Sequence, residues 1–210
     1  QAPQPVTKPA TPTTPATSAA PAATAPKPVA TTPASGGGYS TTAYRQAHLG
    51  TNANAIYSAV RTRFGITNIG GTLILENTAV RKCVTTGLGG GILNFGGTTI
   101  LKRDSTVSGN IAATGGGIQL LGEGNGALNA LTMEAGSVVS DNEAEQGGGI
   151  AAVAGTVTLE AGSSVTGNKA GPGATGGGIF SSSDSTIEVV QGTVVNNTPD
   201  NCEPNLETCG

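Results

Sequence analysis

Side chains able to do chemistry are few and scattered along this 210-residue chain. The carboxylates come closest together at Asp141, Glu143 and Glu145, with Glu160 one strand later. Two carboxylates can cleave a glycosidic bond when they stand about 5 to 9.5 Å apart. These three, however, occupy a loop leading into a glycine cluster, where solvated charge is the simpler reading. The cations group at Arg81, Lys82, Lys102 and Arg103. Lys82 and Arg103 are not repeat equivalents, because an offset of 27 residues carries Lys82 to Gly109. A shared catalytic face is therefore not expected. His48 is the only histidine and reads as a surface residue. No G-x-S-x-G elbow, H-E-x-x-H pair or nicotinamide fingerprint occurs. The triple glycines run into Ile and β-prone sequence rather than into a helix carrying Lys-Ser/Thr, which argues against a phosphate cradle. The sequence predicts a protein that is not an enzyme, with no catalytic, cofactor-binding or metal-ligating residues and no cofactor.

Three cysteines remain. Cys202 and Cys209 enclose the segment EPNLET near the end of the chain. A disulfide between them, conditional on export, ties down a terminus and covers an open strand edge. No second pair or nearby histidine supports zinc. Cys83 reads as a small buried residue, with an intermolecular bridge as the alternative. Asn196-Asn197-Thr198 fits a glycosylation acceptor formally.

Composition narrows the partners. Charged residues are 11 % of the chain, the net charge is −3, and only 10 Lys and Arg are present, too few for a nucleic-acid surface. No window approaches the roughly 18 apolar residues of a membrane helix, so no transmembrane segment is expected. A first residue of Gln fits a processed chain or a fragment of a longer one, and the expected location is secreted or at the cell surface.

The elements that position these residues fall into four stretches. Residues 1–38 are rich in Pro, Thr and Ala; nine of the twelve prolines fall before residue 34, and this stretch reads as a stalk or linker. It passes through the joint Ser35-Gly36-Gly37-Gly38-Tyr39 into a cap region, 39–64. There Ala55, Ile56, Ala59 and Val60 fall at helical spacing after Asn52 or Asn54, which predicts a short helix or an irregular cap. Residues 65–200 are repetitive, and 201–210 form a C-terminal cap tail.

The repeat carries two marks. The first is Gly-Gly-Gly-Ile, at Gly89, Gly90, Gly91 and Ile92; Gly115, Gly116, Gly117 and Ile118; Gly147, Gly148, Gly149 and Ile150; and Gly176, Gly177, Gly178 and Ile179. The second is Val-x-x-Asn, at Val107 and Asn110, Val139 and Asn142, Val165 and Asn168, and Val194 and Asn197. Val80 precedes Cys83 by the same three places, so a cysteine stands first in the asparagine column. Gly65-Ile66-Thr67-Asn68 forms a forerunner of Gly91-Ile92-Leu93-Asn94. Short β-prone runs such as Leu73-Ile74-Leu75 and Val157-Thr158-Leu159 lie between the marks. One such unit has an apolar face and no partner within itself, so it becomes stable only when stacked on its neighbours. A parallel β-coil stacks like on like, about 4.8 Å per turn. The glycines then sit where a side chain meets the next turn or where φ is positive. The isoleucines point inward, and the asparagine amides bond successive turns. The fold class expected is all-β, a parallel β-helix of about five to six coils, with a short N-terminal cap and a Pro/Thr-rich tail.

These marks resemble the repeats of right-handed parallel β-helix proteins, above all the polymorphic outer membrane protein repeat family, over roughly residues 65 to 200. In that family a Gly-Gly-Ala/Gly-Ile element alternates with Phe-x-x-Asn, and here Val stands at every Phe position. The resemblance implies right-handed coiling, in line with the crossover rule. It also implies a surface-exposed, bacterial, passenger-like role in adhesion, without the membrane barrel that ends such proteins.

The function expected is a non-catalytic secreted or surface-exposed scaffold that binds a cell-surface protein, a glycan or another surface. A structural subunit of a sheath, appendage or fibre, formed by self-association, is the alternative. A polysaccharide lyase or hydrolase, a chemistry that parallel β-helices also house, is the enzymatic one. The Gly122-Glu123-Gly124-Asn125-Gly126 insertion is a candidate contact loop.

Overall fold

Parallel pairing turns the repeat marks into vertical columns. The computed structural model describes residues 47–49, 54–58, 61–62, 65–122, 129–204 and 209. The Gly122–Gly126 insertion therefore lies largely outside the described residues, as do residues 1–46, the stalk with its joint among them. Every described element is a strand.

The first coil holds β1 (Ala47–Leu49), β2 (Asn54–Ser58) and β3 (Arg61–Thr62). The second holds β4 (Ile66–Ile69), β5 (Thr72–Glu76) and β6 (Ala79–Arg81). From the third coil a fourth strand appears: β7 (Ile92–Phe95), β8 (Thr98–Leu101), β9 (Thr106–Ser108) and β10 (Ile111–Thr114). The fourth coil comprises β11 (Ile118–Leu121), β12 (Ala130–Met133), β13 (Val138–Ser140) and β14 (Glu143–Gln146). The fifth comprises β15 (Ile150–Val153), β16 (Gly155–Leu159), β17 (Ser164–Thr166) and β18 (Lys169–Ala170). The last comprises β19 (Ile179–Ser181), β20 (Ser185–Val189) and β21 (Thr193–Val195), after which β22 (Cys202–Glu203) opens one more turn.

Corresponding strands pair in parallel to give four sheets. Sheet A runs β1-β4-β7-β11-β15-β19-β22, and sheet B runs β2-β5-β8-β12-β16-β20. Sheet C runs β3-β6-β9-β13-β17-β21, and sheet D runs β10-β14-β18. This is a right-handed parallel β-solenoid. The short helix expected in the cap is not formed at Ala55 and Ile56, while Ala59 and Val60 lie outside the described residues. Residues 54–58 extend instead, with Ala55 opposite Leu73 and Ile56 opposite Ile74. The open edge of β5 offers a row of backbone donors and acceptors, and satisfying it outweighs a weak helical pattern.

The core consists of the inward columns. Ile66, Ile92, Ile118, Ile150 and Ile179 are in register and at most 2 % exposed. Val80, Val107, Val139, Val165 and Val194 form a second column, with Leu75, Leu101, Met133 and Leu159 a third, all equally dry. Each such side chain contributes about 1.5–3 kcal/mol on burial. These terms offset the ordering entropy of a glycine-rich chain. Among the described residues the apolar core is filled by Ile, Val, Leu, Ala, Met and Cys, without an aromatic ring.

The glycine cluster turns the chain into sheet A. Gly115 has φ of 63°, in the left-handed region. A Cβ on Gly117 would stand 2.6 Å from the Gly149 carbonyl oxygen and 2.8 Å from Asn142 Nδ2. Adjacent coils approach too closely here for any side chain. Beside the cluster runs the asparagine column, buried at Asn110, Asn142 and Asn168. Each amide bonds the next asparagine and the backbone of the coil behind it.

Candidate functional site

The inward valine column fixes which side chains of sheet C face solvent. Val80, Val107, Val139, Val165 and Val194 point in, so the residue on either side of each points out. The outward pairs are Ala79 and Arg81, Thr106 and Ser108, Val138 and Ser140, Ser164 and Thr166, and Thr193 and Val195. The result is a flat face rich in hydroxyls, with an arginine toward its N-terminal end. The hydroxyls of Thr106, Ser108, Ser140, Ser164 and Thr166 make no hydrogen bond among the described residues, whereas Thr193 bonds the Ser163 carbonyl. Sheet B carries a comparable outward column of Thr72, Thr98, Ala130, Thr156 and Thr186.

On sheet C the face is indented across the second and third coils. A groove of about 480 Å³ is lined by Asn77, Thr78, Ala79, Arg81, Asp104, Thr106 and Ser108. Its volume is that of a small-ligand site, which typically spans about 300–1,000 Å³. Asn77 and Asp104 form the corner where sheet B turns into sheet C, with φ of 44° and 59°. Beneath that corner Thr78 Oγ1 donates to the Glu76 carbonyl at 2.8 Å. Ser137 and Ser163 repeat this bond in later coils, to Glu134 and Glu160. At the other end, Arg81 leads into Lys82, which holds φ of 56°. The one ion pair among the described residues joins Lys169 Nζ to Glu143 Oε1 at 3.4 Å. Arg81 therefore has no carboxylate partner among them.

The expected groupings separate in space. Lys82 and Gly109 occupy one column, directly after the paired Arg81 and Ser108, as the 27-residue offset predicts. Lys102 follows Leu101 in a column between Glu76 and Glu134, away from Arg81. Among the acids, Asp141 is an exposed corner, and Glu143 and Glu145 face solvent from β14. Glu160 lies at the opposite end of the sheet C strand, at the corner before β17. The structure does not bring Glu160 to the other three. Among the described residues no three His, Cys, Asp or Glu side chains converge as a metal site.

Cys83 heads the asparagine column, where its backbone N–H donates to Asn110 Oδ1 at 3.0 Å. It is free and 4 % exposed, and burial pushes its thiol up to about 12 from an ordinary 9.0. A thiol held neutral is a poor nucleophile. Cys202 and Cys209 are joined in a disulfide, and both sulfur-bearing residues belong to the apolar core.

Comparison with protein-family models, with curated proteins and with solved structures found no match.

Proposed function

We propose that this chain is a non-catalytic, surface-displayed scaffold that binds an extended polymer or surface along its outward faces. One observation carries the reading. The solenoid commits its inward residues to repetitive packing and leaves the sheet C face with five hydroxyls unused, on a rigid lattice set by strand pairing. Regularly spaced donors and acceptors on a stiff face suit a repeating ligand, because little ordering entropy is lost on binding. Secretion or surface display, in a bacterial setting, rests on the resemblance to polymorphic outer membrane protein repeats and fits the Cys202–Cys209 disulfide. The test presents the full chain to immobilised polysaccharides, cell-wall preparations and intact cells. Retention on at least one of them is expected. Passing through all of them unretained, or releasing soluble fragments from a polysaccharide, overturns the reading.

A second reading, end-to-end assembly, is favoured by charge. Lys8, Lys27, Arg45, Arg61 and Arg63 precede the first acidic residue, Glu76. After Lys169 only acids follow: Asp184, Glu188, Asp200, Glu203 and Glu207. β20 and β21 are the last strands of sheets B and C and carry unpaired edges. Sedimentation at low and high salt tests it: salt-sensitive, concentration-dependent oligomers support stacking, and a monomer at every condition overturns it.

A further inference from the structure

We propose that the groove on sheet C across the second and third coils binds an acidic polysaccharide, with a uronate carboxylate at Arg81 and sugar hydroxyls at Asn77 and Asp104. The proposal rests on the polymer-binding reading and names the ligand class and the site.

The first argument is the lining. Of its seven residues only Ala79 is apolar. Such a surface offers nothing to a lipid chain or an apolar peptide anchor, but it presents an amide, a carboxylate, hydroxyls and a guanidinium together. A carboxylate and an amide accept from and donate to sugar hydroxyls, and a guanidinium pairs with a planar carboxylate through two parallel bonds. The groove lies on the face of a sheet whose strands are already paired, so a peptide cannot add there as a strand.

Charge is asymmetric along the groove. Asp104 stands at one end, while Arg81 stands at the other, opposite Ser108. Three residues lie between Asp104 and Ser108, a span of at most roughly 13 Å because Asp104 sits in the turn before β9. That span accommodates two linked sugar rings. Asp104 disfavours an anion at its own end, so the fitting ligand turns hydroxyls toward Asp104 while a carboxylate reaches Arg81.

The backbone supplies the third argument. The corner column of Asn77 and Asp104 continues as Gly136 and Gly162, with φ of 80° and 82°, in the next two coils. The column of Lys82 continues as Gly109, Asp141, Gly167 and Asn196, with φ of 62°, 53°, 67° and 58°. Both corners hold the left-handed region in every coil from the second on, and glycine is the residue that takes it without strain. Asn and Asp tolerate the region, but Lys gains nothing from it. Lys82 takes the conformation its corner holds in every coil from the second on, and it adds an exposed cation next in sequence to Arg81, beside the groove lining.

The test uses the full chain and titrates polygalacturonate, its neutral methyl ester, and a sulfated glycan at two salt concentrations. Polygalacturonate is expected to bind, with affinity falling as salt rises, and more tightly than the ester. Arg81→Ala is expected to weaken it by about tenfold or more at an unchanged melting temperature, and Arg81→Lys to restore only part. Lys82→Gly is the diagnostic variant: it relieves the backbone, so the melting temperature rises while binding weakens. Preference for the methyl ester or for the sulfated glycan, or polygalacturonate binding untouched by Arg81→Ala, overturns the groove assignment while leaving the polymer-binding reading intact. Absence of binding to all three polymers overturns the assignment; if cell-wall preparations and cells also fail to retain the chain, the polymer-binding reading falls with it.

Discussion

Asn110 Nδ2 donates to Asn142 Oδ1 at 2.9 Å, and the Asn110 backbone N–H donates to the same oxygen at 3.0 Å. Asn142 makes the same two bonds to Asn168, at 2.9 and 3.0 Å, and its amide also donates to the Val107 carbonyl at 2.9 Å. One buried amide thus satisfies groups on three coils. Asn142→Ala leaves the Asn110 N–H without its acceptor in a dry column and removes the amide's added bond to the Val107 carbonyl. A loss of about 2–4 kcal/mol is expected in urea unfolding, since unmade buried bonds cost more than made ones contribute. Ser140→Ala, two residues away but facing solvent, is expected to stay within about 0.5 kcal/mol. Equal effects would show that the ladder does not hold the coils together.

Two glycines separate close approach from backbone conformation. A Cβ on Gly117 meets the Gly149 oxygen at 2.6 Å, between backbones that cannot yield without breaking sheet A. Gly96 has φ of 65° but open space around it. Gly117→Ala is expected to cost about 3 kcal/mol or more and to impair folding. Gly96→Ala is expected to cost only about 1–2 kcal/mol. Thermal denaturation of the pair checks the ranking; the reverse order would mean that inter-coil contact is not what the glycine cluster protects.

The disulfide closes the C-terminal end of the core. Cys202 pairs with Ile179 in register, so β22 covers the sheet A edge directly above the isoleucine column. Cross-linking residues seven apart restricts the unfolded chain by about 2.5 kcal/mol in the loop-entropy account. Reduction, or Cys202→Ala with Cys209→Ala, is expected to lower stability by about that amount. Faster amide exchange should appear at Ile179 and Phe180 and not at Ile92. Uniform acceleration along the solenoid would instead indicate one cooperative unit with no local capping.

How much of this could be read in the sequence depended on whether a column keeps its residue type. Ile66 through Ile179 and Val80 through Val194 recur because each coil offers the same inward slot, and the glycines recur because backbone contact admits nothing else. A second asparagine ladder keeps its residue type but not its place in the repeat. Asn68 donates to Asn94 and Asn94 to Asn129, each at 2.7 Å. Asn129 leaves the register: Leu120 holds the place opposite Asn94, and Asn129 reaches the ladder from the residue before β12. Asn68 and Asn94 share the repeat, but Asn129 continues the ladder from another position, so no periodic mark announces the third member. The serine and threonine bonds at Thr78, Ser137 and Ser163 were equally hidden, because short hydroxyl residues are abundant throughout the chain. The groove was legible only in part. Arg81 and Lys82 stood out as cations, but Asn77 and Asp104 joined them only once strand register set the corners.

Cys83 supplies a pH signature for the first coils. Its thiol ordinarily titrates near 9.0, and burial pushes it up to about 12 in the folded chain. Below pH 9 both states hold the proton, and the group imposes no pH dependence. Between 9 and about 12 the unfolded state loses the proton while the folded state keeps it. Stability therefore falls with rising pH by up to about 1.4 kcal/mol per unit. Cys83→Ser is expected to flatten that part of the profile relative to the unaltered chain. In native protein at pH 8 the thiol should resist iodoacetamide and then react fully in denaturant. Cys83→Asn extends the ladder by one member, because its amide can donate to Asn110 Oδ1 as Asn110 does to Asn142, and this variant should be at least as stable as the parent. Rapid alkylation of the native chain, or a profile indifferent to Cys83→Ser, would place this residue outside the dry column.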